Sequence, residues 1–377
     1  MDDYLKPIRE RIDVLDSELL RLLNERMTLV QEVGRIKAEK GLALFDPGRE
    51  ERIYERLCGI NSGPLTEESL RAIFREIMAA SRLLQHTLRV AFRGPEWTYS
   101  HLAALSIFGH SPSYTALPEL EDVFDALLRD KAHVIVVPIE NSLEGGVGRT
   151  LDLLHERETQ VARECYLEIA YCIASLSHSP EKVERIYAPP QALGQCRKWL
   201  TEKMGRVERC ECTSTGQALQ KAKNDPTGAL ICNLYAALHH RLAILYERVE
   251  DHPGSVTRFF ALSKRVNNSP TGRDRTSVLF AVSDQPGALH LALEPFVACK
   301  INLTRIESRP NRLIPWQHLF FVDIEGHREE EPVRRALQEL GGRVAFLRVL
   351  GSYPKSDPKF PIRVEKETMR SSAWSVD

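Results

Sequence analysis

No apolar run in the sequence approaches the roughly 20 residues that a membrane-spanning helix needs. Neither sign of charge is in excess: 51 Lys and Arg face 52 Asp and Glu, which excludes a generally cationic surface for nucleic acid or anionic lipid. The 8 cysteines are scattered. The only close pair, Cys210 and Cys212, has neither a second pair nor a His pair at zinc spacing, so the sequence predicts no metal site and reduced thiols. Met1-Asp2-Asp3-Tyr4 has no basic patch followed by an apolar stretch, and the expectation is a cytoplasmic protein without a secretory signal. Internal repeats and low-complexity segments are absent too. What remains is 377 residues, 43% apolar and 27% charged: a globular chain too long for one core, with two or three domains.

Residues 4–40 form one long helical pattern, with Ile8, Ile12, Leu15, Leu19 and Leu22 at steps of three and four and Gly41 as its end. Asp46-Pro47 reads as an N-cap and first helical position, opening a second helix to about Cys58; a third runs from Thr66 to about Gln85. From Leu88 the period changes. Strand-like runs (89–92, 133–137, 166–175, 185–187, 229–232) alternate with helical ones (100–108, 117–129, 191–204, 215–223), which predicts an α/β domain with largely parallel strands, in two lobes around a cleft. Asn267 to Arg275 reads as a linker. A compact βαββαβ unit follows, over 276–283, 288–300, 301–307, 319–325, 331–340 and 343–351, the order of a ferredoxin-like domain. The expected domains are thus 1–86, 88–265 and 275–352, with a disordered polar tail over 353–377.

The apolar seam of the first helix, continued past Leu22, reaches Arg26, Leu29 or Val30, Val33 and Lys37. Two cations on a stripe that should be buried are costly unless paired. Snorkelling or an ion pair with a neighbouring helix would account for Lys37 near the helix end. The sharper reading is a dianionic ligand enclosed between helices. Arg9 and Arg26 lie 17 residues apart, roughly 25 Å along one helix, so a small ligand reaches both only if a second copy of the chain supplies Arg9. A long helix that cannot close a core alone also favours an intertwined dimer.

The runs 8–16, Asn24-Glu25-Arg26, Val33-Gly34-Arg35-Ile36-Lys37, Asp46-Pro47-Gly48-Arg49-Glu50 and Ser81-Arg82-Leu83-Leu84-Gln85 resemble the all-helical chorismate mutase family. The resemblance implies a unimolecular [3,3] rearrangement, which needs a held conformer and stabilised charge but no nucleophile. By the same resemblance Arg9 of a second copy and Arg26 take the two carboxylates, and Lys37 and Gln85 donate to the ether oxygen. Asp46 and Glu50 hold the ring hydroxyl, and Arg49 and Ser81 complete the polar shell. Arg11 and Arg35 are left as solvated charges.

Residues 90–101, Pro138-Ile139-Glu140-Asn141-Ser142 with Glu144-Gly145-Gly146, Gln191-Ala192-Leu193-Gly194-Gln195-Cys196, Thr213-Ser214-Thr215 and Thr257-Arg258-Phe259 resemble the prephenate dehydratase family. Each motif alone is weak, since a Ser or Thr before a helix is most often an N-cap; five in order are specific. The implied chemistry is decarboxylation with loss of a ring hydroxyl, assisted by a proton or hydrogen bond to the leaving group. The resemblance places Thr257 nearest that hydroxyl and Arg258 on a carboxylate. Glu140, Asn141 and Ser142 line the facing lobe, with Ser100, Ser214 and Thr215 as donors at helix N-termini. Trp97 stands where the family usually has Gly, Pro189 where a His is common, and Asn233 where a Ser is usual. These departures leave arogenate as an alternative substrate, and a metabolite-sensing domain without catalysis as a reading of another class.

Asp284-Gln285-Pro286-Gly287-Ala288-Leu289 and Glu307-Ser308-Arg309-Pro310 resemble the two ligand motifs of ACT domains fused to this dehydratase. The implied effector is phenylalanine as an allosteric inhibitor, its carboxylate meeting the Ala288 and Leu289 amides beside Gly287 and its remainder meeting Glu307, Ser308 and Arg309. Such domains pair between subunits, which implies a homodimer or larger. The reading calls for chorismate and prephenate as substrates and for no cofactor, metal, nucleic acid or membrane.

Overall fold

The computed structural model describes residues 4–40, 46–85, 88–312, 314 and 317–363. Three helices come first: α1 (Lys6–Glu39), α2 (Pro47–Ile60) and α3 (Glu67–Gln85). Pro7 sits in the first turn of α1, where a missing N–H leaves no bond unmade. The Asp46 carboxylate caps α2 by accepting the Arg49 amide at 2.9 Å, and Glu67 and Glu68 in the first turn of α3, with Arg82 in its last, suit the helix dipole. The expected end of α1 at Gly41 lies outside the described residues. Ile8, Ile12, Leu15, Leu19 and Leu22 all remain about half exposed within one chain.

The next elements are β1 (Arg89–Arg93), α4 (Tyr99–Phe108), β2 (Ser113–Leu117), α5 (Leu120–Leu128), β3 (Val134–Asn141), β4 (Gly145–Gly146), α6 (Gly148–Glu156) and β5 (Gln160–Glu168). The chain then crosses to a second lobe: β6 (Cys172–Ser175), β7 (Arg185–Ala188), α7 (Pro190–Gln195), α8 (Arg197–Lys203), β8 (Glu208–Glu211), α9 (Thr215–Lys223), β9 (Gly228–Cys232), α10 (Leu234–His239) and β10 (Ala243–Glu247). It returns through β11 (Val256–Ser263). The first lobe holds a six-stranded sheet, β2-β1-β3-β11-β5 with β4 on β3, and the second a five-stranded sheet, β10-β6-β9-β7-β8.

Two expectations give way here. The sheets are mixed rather than largely parallel: β1 runs parallel to β2 and β3, but β11 is antiparallel to both β3 and β5 because it re-enters from the second lobe. The single strand expected over 166–175 is two strands in two sheets. Between them, the Ile169 amide bonds Ser255 O at 2.7 Å and the Tyr171 amide bonds Glu250 Oε2 at 2.9 Å, so outgoing and returning chains are tied where they cross.

The last elements are β12 (Asp274–Ala281), α11 (Ala288–Ala298), β13 (Leu303–Pro310), β14 (His318–Glu325), α12 (Glu331–Gly341) and β15 (Phe346–Pro354). They form a four-stranded antiparallel sheet, β13-β14-β12-β15, whose helices cover a core of Val278, Phe280, Phe296, Val322 and Leu340. Its other face lies on the first lobe: Leu279, Phe321 and Tyr353 share a cluster with Val137, Leu151 and Phe260. At Gly351 a Cβ would stand 2.4 Å from the Val161 carbonyl oxygen, so this approach of β15 to β5 requires glycine.

The stretch read as a linker is packed. Asn268 is buried, its amide donating to Ala162 O at 3.0 Å and Ser352 O at 2.8 Å. Past residue 352, where disorder was expected, Ser356 Oγ bonds Glu164 O at 3.0 Å and Ile362 forms a bridge with Leu167. Residues 364–377 lie outside the described residues.

Candidate active sites

A cavity of about 480 Å³ lies among the three helices. Leu29, Val30 and Val33 of α1 and Phe74 of α3 give it an apolar wall, while Arg26, Arg49, Arg52 and Arg56 supply a cationic lining. Positions 49, 52 and 56 lie on one face of α2, steps of three and four that place side chains in register. Arg52 and Arg56 are residues that sequence reasoning missed, although their spacing from Arg49 was the signal. Arg26 also donates to Ser81 Oγ, which in turn donates to Ile77 O at 2.6 Å; burial and the neighbouring Arg49 hold the Arg26 pKa below its ordinary value. Such a site favours a compact dianion.

The other mutase candidates are placed as follows. Lys37 is half-buried, its pKa lowered by burial, raised by Asp46 and Glu50, and lowered by Arg49. Asp46 is engaged as the cap of α2. Gln85 is the last residue of α3, and Arg9 is exposed near the start of α1, away from the cavity-lining residues. Glu50 does not line the cavity: it accepts from Arg82 and, across the domain junction, from Arg163 of β5 at 3.4 Å.

In the first lobe the structure brings Asn141, Ser142 and Thr257 together. Asn141 Oδ1 accepts the amides of Leu143 at 2.9 Å and Glu144 at 3.1 Å, which fixes the side-chain orientation. Its Nδ2 donates to Thr257 Oγ1 at 2.9 Å and Ser255 Oγ at 3.1 Å. The Thr257 oxygen is therefore an acceptor toward Asn141, leaving its own proton to be donated elsewhere. Ser142 Oγ accepts the Val256 amide at 3.0 Å.

Glu140 and Arg258 face the other way. Alternate residues of a strand leave opposite faces, and Arg258, 2% exposed, points toward the C-terminal unit. It pairs with Glu164 at 2.7 Å, Asp323 at 2.5 Å and Glu140 at 3.0 Å, and donates to Tyr353 Oη at 3.1 Å. Burial alone would depress the Arg258 pKa, but Asp323 and Glu164 raise it well above its usual value. Glu140 also bonds Arg305 of β13 at 2.7 Å. Arg258 and Glu140, expected on the substrate, are both engaged in this network on the face toward the C-terminal unit.

The helix starts Ser100, Ser214 and Thr215 belong to α4 and α9. Ser100 is buried in the first turn of α4, and Ser214 caps α9 by accepting the Gln217 amide at 3.2 Å. The two helix starts approach through Gly216, where a Cβ would meet Pro95 Cγ at 3.0 Å. Thr215 lines a cavity of about 20 Å³ with Trp97 and His240, room for roughly one water. Trp97 holds a left-handed backbone, φ 67°, and packs on the cores of both lobes. Its ring stacks on His239 with centroids 3.7 Å apart, its amide donates to His101 Nδ1 at 3.1 Å, and its carbonyl accepts from Asn233 Nδ2 at 2.7 Å. Asn233 also caps α10, accepting the Ala236 amide at 2.8 Å, and Pro189 precedes α7. Across the lobes, Glu144 accepts from Gln191 at 2.7 Å and Gln195 at 2.6 Å.

In the C-terminal unit, Gly287 takes φ 79° immediately before α11, with Ala288 and Leu289 in the first turn. Ser308 Oγ lies 3.1 Å from His318 Nδ1. Glu307 and Arg309 instead reach the first lobe: Glu307 crowds Gly146, and Arg309 meets Asp152 of α6 at 3.1 Å.

Comparison with known proteins decides between readings. Residues 8–86 match the chorismate mutase type II family and residues 90–267 the prephenate dehydratase family. A bifunctional chorismate mutase/prephenate dehydratase of Aquifex aeolicus is 42% identical over 358 residues, covering 94% of this chain and 99% of that protein. The chain belongs to the family of bifunctional chorismate mutase/prephenate dehydratases.

It therefore carries an isomerase and a lyase on one chain. Among solved structures, a prephenate dehydratase of Arthrobacter aurescens in complex with L-Phe superposes with a TM-score of 0.66 at 30% identity, covering 74% of this chain and 94% of that one. A protein described as a quorum-quenching acylase has the same TM-score at 28% identity, covering 72% of this chain and all of that one. Among the described residues no helix is long and apolar enough to cross a membrane.

Proposed function

We propose that the chain is a cytoplasmic, phenylalanine-controlled enzyme in which chorismate is rearranged among α1, α2 and α3 and prephenate is dehydrated at Thr257. In the mutase, Arg26 and Arg49 bind carboxylate, with Arg52 and Arg56 adding positive potential. Arg9 comes from a second copy of the chain, laid along the exposed stripe of α1. Lys37 and Gln85 donate to the ether oxygen as charge develops there, an interaction stronger in the transition state than in the ground state. Asp46, Glu50 and Ser81 orient the polar shell.

In the dehydratase, Asn141 holds Thr257 so that its hydroxyl proton is offered to the departing hydroxide while the carboxylate leaves as carbon dioxide and the ring becomes aromatic. Ser100, Ser214 and Thr215 bind carboxylate at helix starts, and Ser142 fixes the loop. The C-terminal unit acts as a ferredoxin-like ACT domain that takes phenylalanine beside Gly287, Ala288 and Leu289, with Ser308 on the neighbouring strand; such domains pair in a dimer or larger assembly. The observation that carries this reading of control is that Glu307 and Arg309, in the second effector motif, lie against Gly146 and Asp152, the segment that follows Asn141. The bound phenylalanine of the Arthrobacter protein supports the choice of effector.

The test is to supply chorismate and follow prephenate and phenylpyruvate by liquid chromatography, with and without phenylalanine. Phenylpyruvate that accumulates, and falls when phenylalanine is added, is the expected result. Prephenate accumulating without phenylpyruvate would point to arogenate as the second substrate; phenylpyruvate formation indifferent to phenylalanine would remove the effector role.

A further inference from the structure

The mutase helices do not merely precede the dehydratase; α2 is docked on it. Pro47, Gly48 and Tyr54 of α2 are buried. A Cβ on Gly48 would stand 2.8 Å from the Ser269 carbonyl oxygen, so helix and backbone approach as closely as glycine allows. Arg52 donates to Pro270 O at 3.4 Å, and Arg82 of α3 donates to Phe108 O at 2.9 Å. In the middle of this junction lies Arg163 of β5, only 17% exposed in its side chain, between Glu50 at 3.4 Å and Glu51 at 3.5 Å.

Glu50 is the mutase candidate on this junction. Its side chain is 12% exposed, and its two oxygens are divided between Arg82 of its own helical unit and Arg163 of the next. Glu50 follows the cavity-lining Arg49 on α2 and precedes Arg52 and Ile53, which also line the cavity, so its carboxylate sits beside the mutase site although it does not face it; Lys37 feels its charge as it feels Asp46 and Arg49. A largely buried carboxylate shared by two guanidinium groups is fixed in direction, and removing one leaves it free to turn toward the other.

We propose that Arg163, a residue of the dehydratase sheet, is a positioning residue for the mutase reaction, acting through Glu50. The mutase site is thereby completed by the domain that consumes its product. This rests on the reading that Glu50 belongs to the mutase site.

The experiment uses the full chain and two assays, chorismate loss for the mutase and phenylpyruvate formation from prephenate for the dehydratase. Arg163→Met raises the mutase KM about fivefold with kcat within about twofold, and leaves both dehydratase constants unchanged. Arg163→Lys, which keeps the charge, restores most of the loss. Glu51→Gln, which removes the other partner of Arg163, leaves the mutase KM near that of the parent. Arg163→Met combined with Glu50→Gln is no worse than Glu50→Gln alone, because the two act in one line. An unchanged mutase KM in Arg163→Met beside an impaired Glu50→Gln overturns the role of Arg163. Equal losses in Glu51→Gln and Arg163→Met overturn it too, reducing the contact to docking. A neutral Glu50→Gln overturns the proposal at its premise.

Discussion

Thr257 and Arg258 are consecutive residues of β11 whose side chains leave opposite faces of the sheet: the Thr257 hydroxyl accepts from Asn141 at 2.9 Å, and the Arg258 guanidinium meets Glu164 at 2.7 Å. One strand thus presents the hydroxyl proposed for the dehydratase on one side and a charge network toward the C-terminal unit on the other. Substitutions at the two positions should fail in different ways. Thr257→Val removes the donated proton and should lower dehydratase kcat by roughly 10²–10⁴-fold with little change in thermal stability. Arg258→Met leaves the buried carboxylate of Asp323 without its guanidinium and Glu164 with Arg275 alone, and should destabilise the fold by about 3–5 kcal/mol. Thermal unfolding beside prephenate turnover separates the two; an Arg258→Met protein as stable as the parent would refute the structural assignment.

Trp97 combines a strained backbone with packing shared by both lobes. Removing the indole sacrifices that packing, but glycine alone also relieves φ 67°. Trp97→Gly should therefore be more stable than Trp97→Ala by about 1 kcal/mol, and both should raise the KM for prephenate because the starts of α4 and α9 lose their common anchor. Equal stability of the two variants would show that the backbone stores no strain there.

Lys37 offers a pH test. Its ammonium is the donor in the proposed mutase site, and burial lowers its pKa despite Asp46 and Glu50. A required cation is lost as pH rises through its pKa, so mutase kcat/KM should decline on an alkaline limb centred below the ordinary lysine value of about 10.4. Lys37→Gln should be slow and lack that limb. A limb that persists in the variant would belong to another group.

At Gly146 a methyl group would run into the carboxylate of Glu307, which β13 carries into the proposed effector motif. Gly146→Ala should displace Glu307 and raise several-fold the phenylalanine concentration that halves dehydratase activity. Activity without phenylalanine measures any direct damage to the loop. Unchanged inhibition would mean that control bypasses this contact.

The long seam of α1, the cap of α2 and the βαββαβ order of the C-terminal unit were legible because they are local: spacing and capping lie within a few residues of each other. The path between lobes was not. Residues 166–175 read as one strand because periodicity along the chain cannot tell which sheet each half joins. The turn of Arg258 toward Asp323 was hidden for the same reason, as was Glu50 toward Arg163, since those partners are 65 and 113 residues away. The direction of β11 depends on its return from the second lobe, which no single motif encodes. Arg52 and Arg56, by contrast, are readable from the sequence, at steps of three and four from Arg49.

The glycine contact between β15 and β5, with the charges sealed behind it, bears on how such a chain can be dissected. A protein cut before Asp274 would keep Arg258 and Glu164 but lose Arg275, Asp323 and Tyr353, exposing a half-paired ionic surface where an apolar seam had been. The C-terminal unit is consequently a supporting wall of the lyase. Excising it would bring down part of the first lobe as well, so the proposed phenylalanine control is better probed by substitutions beside Gly287 than by truncation.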